Sequence, residues 1–244
     1  MDDENSDRLV DLSNRLTQAR TEIERACVAA RREPKSVRLI AVTKHFPASD
    51  VRLLARLGVA DVGENRDQEA AAKAAELAAD SPPVDVRWHF IGRLQRNKCR
   101  SVARYADWVH SIDRASLIAP LDRARVEVGR PLPVLIQVSV DGDSARGGAT
   151  AAELVPLAEA VLASETLRLR GIMGVAPLDW KPADAYAELA RHAATIATME
   201  PSATELSAGM SGDFAEAIAQ GATFIRLGSK LLGPRTEVGY PGGK

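Results

Sequence analysis

Eight short apolar segments, rich in β-branched residues, alternate with helical segments along this chain. The apolar segments cover residues 37–43, 59–63, 86–91, 108–111, 134–140, 168–173, 204–207 and 223–227. The helical patterns between them lie near residues 48–57, 66–79, 95–105, 114–128, 150–163, 182–199 and 213–220. Parallel strands need a crossover connection, so this alternation predicts consecutive βαβ units. Eight such units in 244 residues predict an α/β fold of the (β/α)8 TIM barrel type in a single domain.

An open, doubly wound parallel sheet is the alternative architecture. No GxGxxG motif follows the first apolar segment, which disfavours the dinucleotide-binding form of that fold. Residues 7–27 place apolar side chains at steps of three and four, which predicts an extra N-terminal amphipathic helix. We therefore expect a helical region packed on the barrel (1–35), a ligand-binding barrel (36–235) and a flexible tail (236–244).

The charge balance narrows the possible partners. There are 32 basic and 33 acidic residues, a net charge of −1, which disfavours general binding to nucleic acid or to a membrane surface. The start of the chain is acidic and is not typical of a signal peptide. The two cysteines, Cys27 and Cys99, form no metal-binding spacing, so we expect no metal and a cytoplasmic location.

Lys44 follows the first predicted strand at the end where barrel enzymes place their chemistry. Only 7 of the 32 basic residues are lysines, which makes a lysine at this position conspicuous. One interpretation is a strand-end lysine that reaches solvent. The other is a desolvated lysine, whose amine is more readily deprotonated and can form Schiff bases.

Polar residues also follow the second and third strands. Asn65 ends the sequence Gly63-Glu64-Asn65, where it is either a helix cap or a pocket residue. His89 alternates with Trp88 and Phe90, and a single histidine in a strand is more often a core residue than a catalyst. Both interpretations stay open for each residue.

The loops after strands seven and eight predict a phosphate site. Met210, Ser211 and Gly212 follow strand seven, and Gly228 and Ser229 follow strand eight. Small residues let backbone N–H groups approach an anion, and these two loops form the usual phosphate site of the barrel. The alternative is that Ser211 or the neighbouring aspartate caps a helix and that Gly228 only makes a turn.

Arg226 lies within the last strand, where a buried guanidinium needs a carboxylate or a ligand to accept its hydrogen bonds. Together, a lysine, two phosphate-binding loops and an inward arginine indicate a pocket for a phosphorylated carbonyl compound. Pyridoxal 5′-phosphate (PLP) fits all three features. Its aldehyde would meet Lys44, its phosphate the two loops, and its ring nitrogen Arg226.

Six segments of the chain resemble the pyridoxal phosphate homeostasis proteins, a family of single fold-type III barrels similar to the barrel domain of alanine racemase. These segments are 39–44, 63–69, 88–98, 169–173, 206–213 and 225–235. They include Leu-Ile-Ala-Val-Thr-Lys, Gly-Glu-Asn and Trp-His-Phe-Ile-Gly-Arg-Leu-Gln-Arg-Asn-Lys, and they extend over nearly the whole chain.

The resemblance implies a role for each matching residue. Lys44 matches the lysine of the internal aldimine, and Arg226 matches the arginine that faces the pyridine nitrogen. The phosphate-binding segments match Met210, Ser211, Gly228 and Ser229, and Asn65 belongs to a pocket-lining motif. Arg146 stands where a second lysine often occurs in the family.

Three functions follow as hypotheses. The favoured one, which the resemblance implies, is a monomeric, non-catalytic PLP-binding protein that maintains the PLP supply, with PLP-dependent enzymes as possible clients. The second is an amino-acid racemase that uses Lys44 together with an unrecognised acid such as His89 or Tyr240. In alanine racemase a tyrosine from a second domain is that acid, and this sequence shows no obvious equivalent. The third is an aldolase-type barrel in which Lys44 forms its Schiff base with a sugar phosphate.

Overall fold

Parallel strands close into a barrel in the computed structural model, which describes residues 2–143 and 147–234. Each strand pairs with the next, and the eighth pairs with the first. In the described part of the chain the eight strands are β1 (Arg38–Val42), β2 (Asp61–Glu64), β3 (Arg87–Phe90), β4 (Trp108–Ile112), β5 (Leu132–Val138), β6 (Leu167–Gly174), β7 (Glu205–Ser207) and β8 (Phe224–Leu227). The predicted (β/α)8 barrel is confirmed.

A helix follows every strand and covers the outside of the barrel. These helices are α2 (Ala48–Arg56), α3 (Asp67–Ala78), α4 (Cys99–Tyr105), α5 (Ile118–Val128), α6 (Ala151–Leu162), α7 (Pro182–Met199), α8 (Phe214–Ala219) and α9 (Ser229–Leu232). Short 3-10 turns precede α4 and α5, so both α-helices begin later than the sequence pattern predicts.

The contact between β1 and β8 decides between the closed barrel and the open sheet. Four residue pairs join these strands in parallel, from Arg38 opposite Phe224 to Ala41 opposite Leu227. An open doubly wound sheet would leave its outer strands without this pairing. The alternative architecture is therefore wrong for this chain.

The N-terminal helix α1 (Asp2–Ala29) packs on the outside of the barrel against α2, α8 and α9. Its apolar stripe includes Leu12, Leu16 and Ala19, all of them buried. Exclusion of this surface from water stabilises the packing. The predicted amphipathic helix is confirmed and is a few residues longer than the pattern indicates. The predicted tail, 236–244, lies outside the described residues.

Aromatic side chains occupy the part of the barrel interior away from the carboxyl ends of the strands. His89, Trp108, His110 and Phe224 form one cluster, with ring centroids 5.1–6.1 Å apart. This cluster leaves the carboxyl ends of the strands as the side of the barrel with room for a ligand. Among the described residues, no helix is both long enough and apolar enough to cross a membrane.

Candidate functional site

A cavity of about 490 Å³ lies at the carboxyl ends of the strands. Its volume is in the range of small-molecule sites. All seven residues predicted to bind the cofactor line it, namely Lys44, Asn65, Met210, Ser211, Arg226, Gly228 and Ser229. Residues that are more than 180 positions apart along the chain thus meet at one site.

Lys44 reaches this cavity from a tight turn after β1. It is half-buried and forms part of the cavity wall. The next residue, His45, has a φ of +68°, a conformation that non-glycine residues seldom adopt. The backbone N–H of His45 donates a 2.7 Å hydrogen bond to the Oε1 atom of Glu69 on α3. The strained turn is thus tied to the neighbouring helix.

A second lysine, Lys73 on α3, is buried behind the turn that carries Lys44. Its Nζ atom donates to the carbonyl oxygen of Thr43 at 2.9 Å, to Glu64 at 2.8 Å and to Glu69 at 2.7 Å. Thr43 also donates its hydroxyl proton to Glu64 at 2.7 Å. The ammonium group therefore joins the end of β2, the first turn of α3 and the backbone beside Lys44.

The two carboxylates of this cluster differ in electrostatic environment. Burial raises the pKa of Glu64, and the ammonium of Lys73 only partly opposes that effect. Burial also acts to raise the pKa of Glu69, but the hydrogen bond and charge of Lys73, together with the hydrogen bond from the His45 backbone, outweigh it, so the pKa of Glu69 is lowered. Lys73 is thus the positive centre that makes two buried acids tolerable. Sequence reasoning missed Lys73, because one lysine in an alanine-rich helix gives no sign of its partners.

Asn65 lines the cavity and does not cap α3. The helix begins at Asp67, Arg66 occupies the cap position, and no side chain there bonds to the backbone. The Oδ1 atom of Asn65 is buried and has no hydrogen-bond partner among the described residues. Gly92 packs so closely that an added Cβ would overlap the carbonyl oxygen of Asn65. The helix-cap interpretation is wrong, and the amide oxygen is a buried polar atom without a partner at a residue that lines the cavity.

The loop after β7 is folded by its own aspartate. Asp213 accepts a 2.6 Å hydrogen bond from the backbone N–H of Met210, and its side chain does not cap α8. Gly209 turns the chain with a φ of +89°, and its carbonyl oxygen accepts from the backbone N–H of Arg226. This bond ties the β7 loop to strand β8.

Both loops offer hydrogen-bond donors to the cavity. The backbone N–H groups of Ser211, Gly212 and Gly228 donate to no other residue in the described ranges. The side chains of Ser211 and Ser229 add hydroxyl groups to the same wall. This arrangement suits a phosphate or another oxyanion.

Arg226 lies at the cavity floor and is only 5% exposed. Its Nη1 atom donates to the carbonyl oxygen of Ser207 at 2.8 Å and to the Oγ of Ser207 at 2.7 Å, and Nη2 donates to the carbonyl oxygen of Gly174 at 2.9 Å. We expected a carboxylate or a ligand to accept from this guanidinium, but these three bonds go to backbone carbonyls and a serine hydroxyl. Burial lowers the pKa of Arg226 to about 10, which leaves the guanidinium charged at neutral pH.

The charged residues of the cavity wall are all cations. They are Lys44, Arg93 and Arg226, and the described lining contains no carboxylate, imidazole, thiol or phenol. A cationic wall with free N–H donors favours an anionic ligand. It offers few groups that could exchange protons with that ligand.

The remaining acid–base candidates lie elsewhere. His89 is fully buried in the barrel interior, where its ring nitrogens contact Asp61 and His110. Tyr105 and Tyr186 do not line the cavity, and burial raises the pKa of both phenols. The proposed use of His89 as a racemase acid is therefore wrong. Tyr240 and Arg146 lie outside the described residues.

Comparisons with known proteins show the family to which this chain belongs. Residues 23–236 match the family model described as alanine racemase, N-terminal domain. The pyridoxal phosphate homeostasis protein of Mycobacterium tuberculosis (strain ATCC 25618 / H37Rv) is 43% identical in an alignment 244 residues long. The alignment covers 94% of this chain and 95% of the relative. The chain belongs to the pyridoxal phosphate homeostasis protein family. The resemblance read from the sequence motifs is confirmed.

Solved structures share the fold. PipY of Synechococcus elongatus PCC7942 is 37% identical with a TM-score of 0.76, covers 91% of this chain and 100% of its own, and is described both without PLP and with PLP bound. A structure described as an unknown protein from Bifidobacterium adolescentis is 26% identical with a TM-score of 0.83, and the match covers 92% of this chain and 95% of that one.

Replacing Lys73 by methionine tests the cluster behind Lys44. The variant leaves Glu64 and Glu69 buried without their cation, so we expect a loss of about 3–5 kcal/mol in the free energy of unfolding. Urea unfolding measures this loss as a lower midpoint at an unchanged m-value.

Lys35→Met is the matched control, because Lys35 is exposed. Its free energy of unfolding should stay within about 0.5 kcal/mol of the wild type. Equal stability of the two variants would show that Lys73 does not hold the site together.

Proposed function

We propose that this protein binds PLP covalently on Lys44 and serves PLP homeostasis and cofactor supply without robust turnover of its own. One observation carries the proposal. A lysine, two loops with free backbone donors and a buried arginine all line a single cavity of the barrel. Its relatives support the cofactor, since the Mycobacterium tuberculosis protein is named for pyridoxal phosphate and PipY is described with PLP bound.

The phosphate end of PLP fits the loops after β7 and β8. The N–H groups of Ser211, Gly212 and Gly228 would donate to the phosphate oxygens, and Ser211 and Ser229 would add hydroxyl donors. Most of these donors belong to the backbone, so a change of side chain there affects binding only in part. The phosphate would anchor the cofactor even without the covalent bond.

The aldehyde end of PLP fits Lys44. The lysine amine would add to the aldehyde carbon, the carbonyl oxygen would leave as water, and a C=N bond would join the two. When bound, the cofactor supplies an electron-withdrawing ring conjugated to that bond. The tie between His45 and Glu69 and the cluster around Lys73 would hold Lys44 in reach of the aldehyde.

Arg226 fits the ring nitrogen of PLP. A guanidinium that stays charged disfavours a second positive charge beside it, so the ring nitrogen would stay unprotonated. An unprotonated ring withdraws electrons less strongly, which restrains carbanion chemistry. The absence of carboxylate, imidazole and phenol groups from the described lining argues in the same direction. Both features favour holding the cofactor over using it, and client enzymes would then receive it.

Replacing Lys44 by alanine tests the covalent attachment. We expect loss of the visible absorption band that PLP acquires on the wild type, while equilibrium dialysis still detects weaker binding through the phosphate loops. Lys98→Ala is the control, since Lys98 lines a neighbouring pocket and not this cavity. A band that persists in Lys44→Ala and disappears in Lys98→Ala would show that the wrong lysine was chosen.

Deuterium exchange tests the lack of turnover. The PLP-loaded wild type, incubated with L-alanine in heavy water, should incorporate deuterium at the α-carbon no faster than free PLP does. Lys44→Ala serves as the matched control for catalysis at the site. Rapid exchange by the wild type that disappears in Lys44→Ala would establish a racemase-like enzyme instead.

A further inference from the structure

A continuous chain of hydrogen bonds runs through the barrel interior from Arg226 to Asp61. Arg226 donates to the Oγ of Ser207 at 2.7 Å, and this oxygen lies 2.9 Å from Nδ1 of His110. Nε2 of His110 lies 2.9 Å from Nδ1 of His89, and Nε2 of His89 lies 2.8 Å from Oδ1 of Asp61. Five side chains from five strands thus connect the cavity floor with the opposite end of the barrel.

The residues at its two ends allow the protons of this hydrogen-bond chain to point in only one direction. An arginine can only donate, so Ser207 accepts from Arg226 and is free to donate its own proton to Nδ1 of His110. His110 then carries its proton on Nε2 and donates it to His89. His89 likewise carries its proton on Nε2 and donates it to the carboxylate of Asp61.

The opposite direction is unfavourable at both ends. Nε2 of His89 would then present a lone pair to the Asp61 carboxylate, so two acceptors would face each other. Ser207 would accept from both Arg226 and His110, and its hydroxyl proton would find no partner among the described residues. Only one arrangement of neutral histidines satisfies every group.

The protonation states of the groups in the hydrogen-bond chain agree with that arrangement. Burial lowers the pKa of both histidines, so both are neutral at pH 7. Burial acts to raise the pKa of Asp61, but hydrogen bonds from His89 and Arg87 outweigh it and bring the pKa to about 2. The other charged pair at this end, Arg38 with Glu205, contacts neither histidine through a hydrogen bond.

We propose that Asp61, His89, His110 and Ser207 are positioning residues for Arg226. Their fixed hydrogen-bond direction presents a lone pair of Ser207 to the guanidinium and holds it against the cavity wall. Of the five N–H donors of Arg226, three are used by Ser207 and Gly174. The remaining two have no acceptor among the described residues, and we propose that a ligand in the cavity accepts from them. That this ligand is the PLP ring nitrogen rests on the proposed function above.

Nitrogen-15 NMR of the wild type without added PLP tests the direction of donation along the hydrogen-bond chain. We expect His89 and His110 both in the tautomer with the proton on Nε2. We also expect separate Nη signals for Arg226, because its guanidinium cannot rotate freely. A proton on Nδ1 of either histidine, or rapid rotation of Arg226, would overturn the proposal whether or not the protein binds PLP.

Two matched variants test the role of Asp61. Asp61→Leu removes the acceptor at the end of the chain, and Glu205→Met removes a carboxylate that pairs with an arginine at the same end. For Asp61→Leu we expect mixed histidine tautomers, merged Arg226 Nη signals and PLP affinity lowered about tenfold, the size of one charge-assisted hydrogen bond. For Glu205→Met we expect wild-type tautomers and an affinity within about twofold of the wild type.

The readouts separate the two proposals. Failure of the wild type to bind PLP would contradict the proposed function. The NMR signals would still decide the direction of donation along the hydrogen-bond chain. Wild-type tautomers and unchanged Arg226 signals in Asp61→Leu would overturn the positioning role. So would equal losses of affinity in Asp61→Leu and Glu205→Met.

Discussion

The parallel pairing of β1 with β8 is the contact on which the whole site depends. It sets Ile40 opposite Arg226 and Ala41 opposite Leu227. The residues that follow these strands, Lys44 on one and Gly228 on the other, therefore lie in the wall of one cavity. In an open sheet the two strands would be outer edges, and the lysine, the arginine and the donor loops would never meet. Closure of the barrel thus creates the site as well as completing the fold.

Two buried polar networks lie beneath this cavity, one under each end of the ligand proposed for it. Lys73 and its carboxylates stand behind Lys44, and Ser207 with two histidines stands behind Arg226. Buried charges and dipoles stabilise a fold only when their hydrogen bonds are made, and they strongly penalise other arrangements. Both networks therefore favour one position for the residue in front of them, Lys44 or Arg226. Burial of their polar groups costs desolvation free energy. The described cavity wall itself is cationic and contains no carboxylate, imidazole or phenol, and the proposed cofactor-holding role relies on this combination.

The sequence allowed the fold to be predicted, together with the residues that meet at the candidate site, because both depend on local patterns. Apolar β-branched segments at regular intervals indicate parallel strands, and barrel enzymes place their sites at strand ends. Lys44 and the two glycine-containing loops followed from that rule, and Arg226 followed from the need of a buried guanidinium for acceptors. The partners of Arg226 did not follow, since Gly174 and Ser207 belong to strands β6 and β7 and meet it only through the register of the closed sheet. Lys73 and the histidine chain were missed for the same reason.

Reductive trapping of the wild-type protein tests the central claim most directly. Borohydride would convert a C=N bond between PLP and a lysine into a stable single bond, and peptide mass mapping would then locate it. The account predicts one pyridoxyl group, on the peptide that contains Lys44. A label on Lys73, Lys98 or another lysine, or no label after incubation with PLP, would contradict the assignment of this cavity as the site of covalent PLP binding.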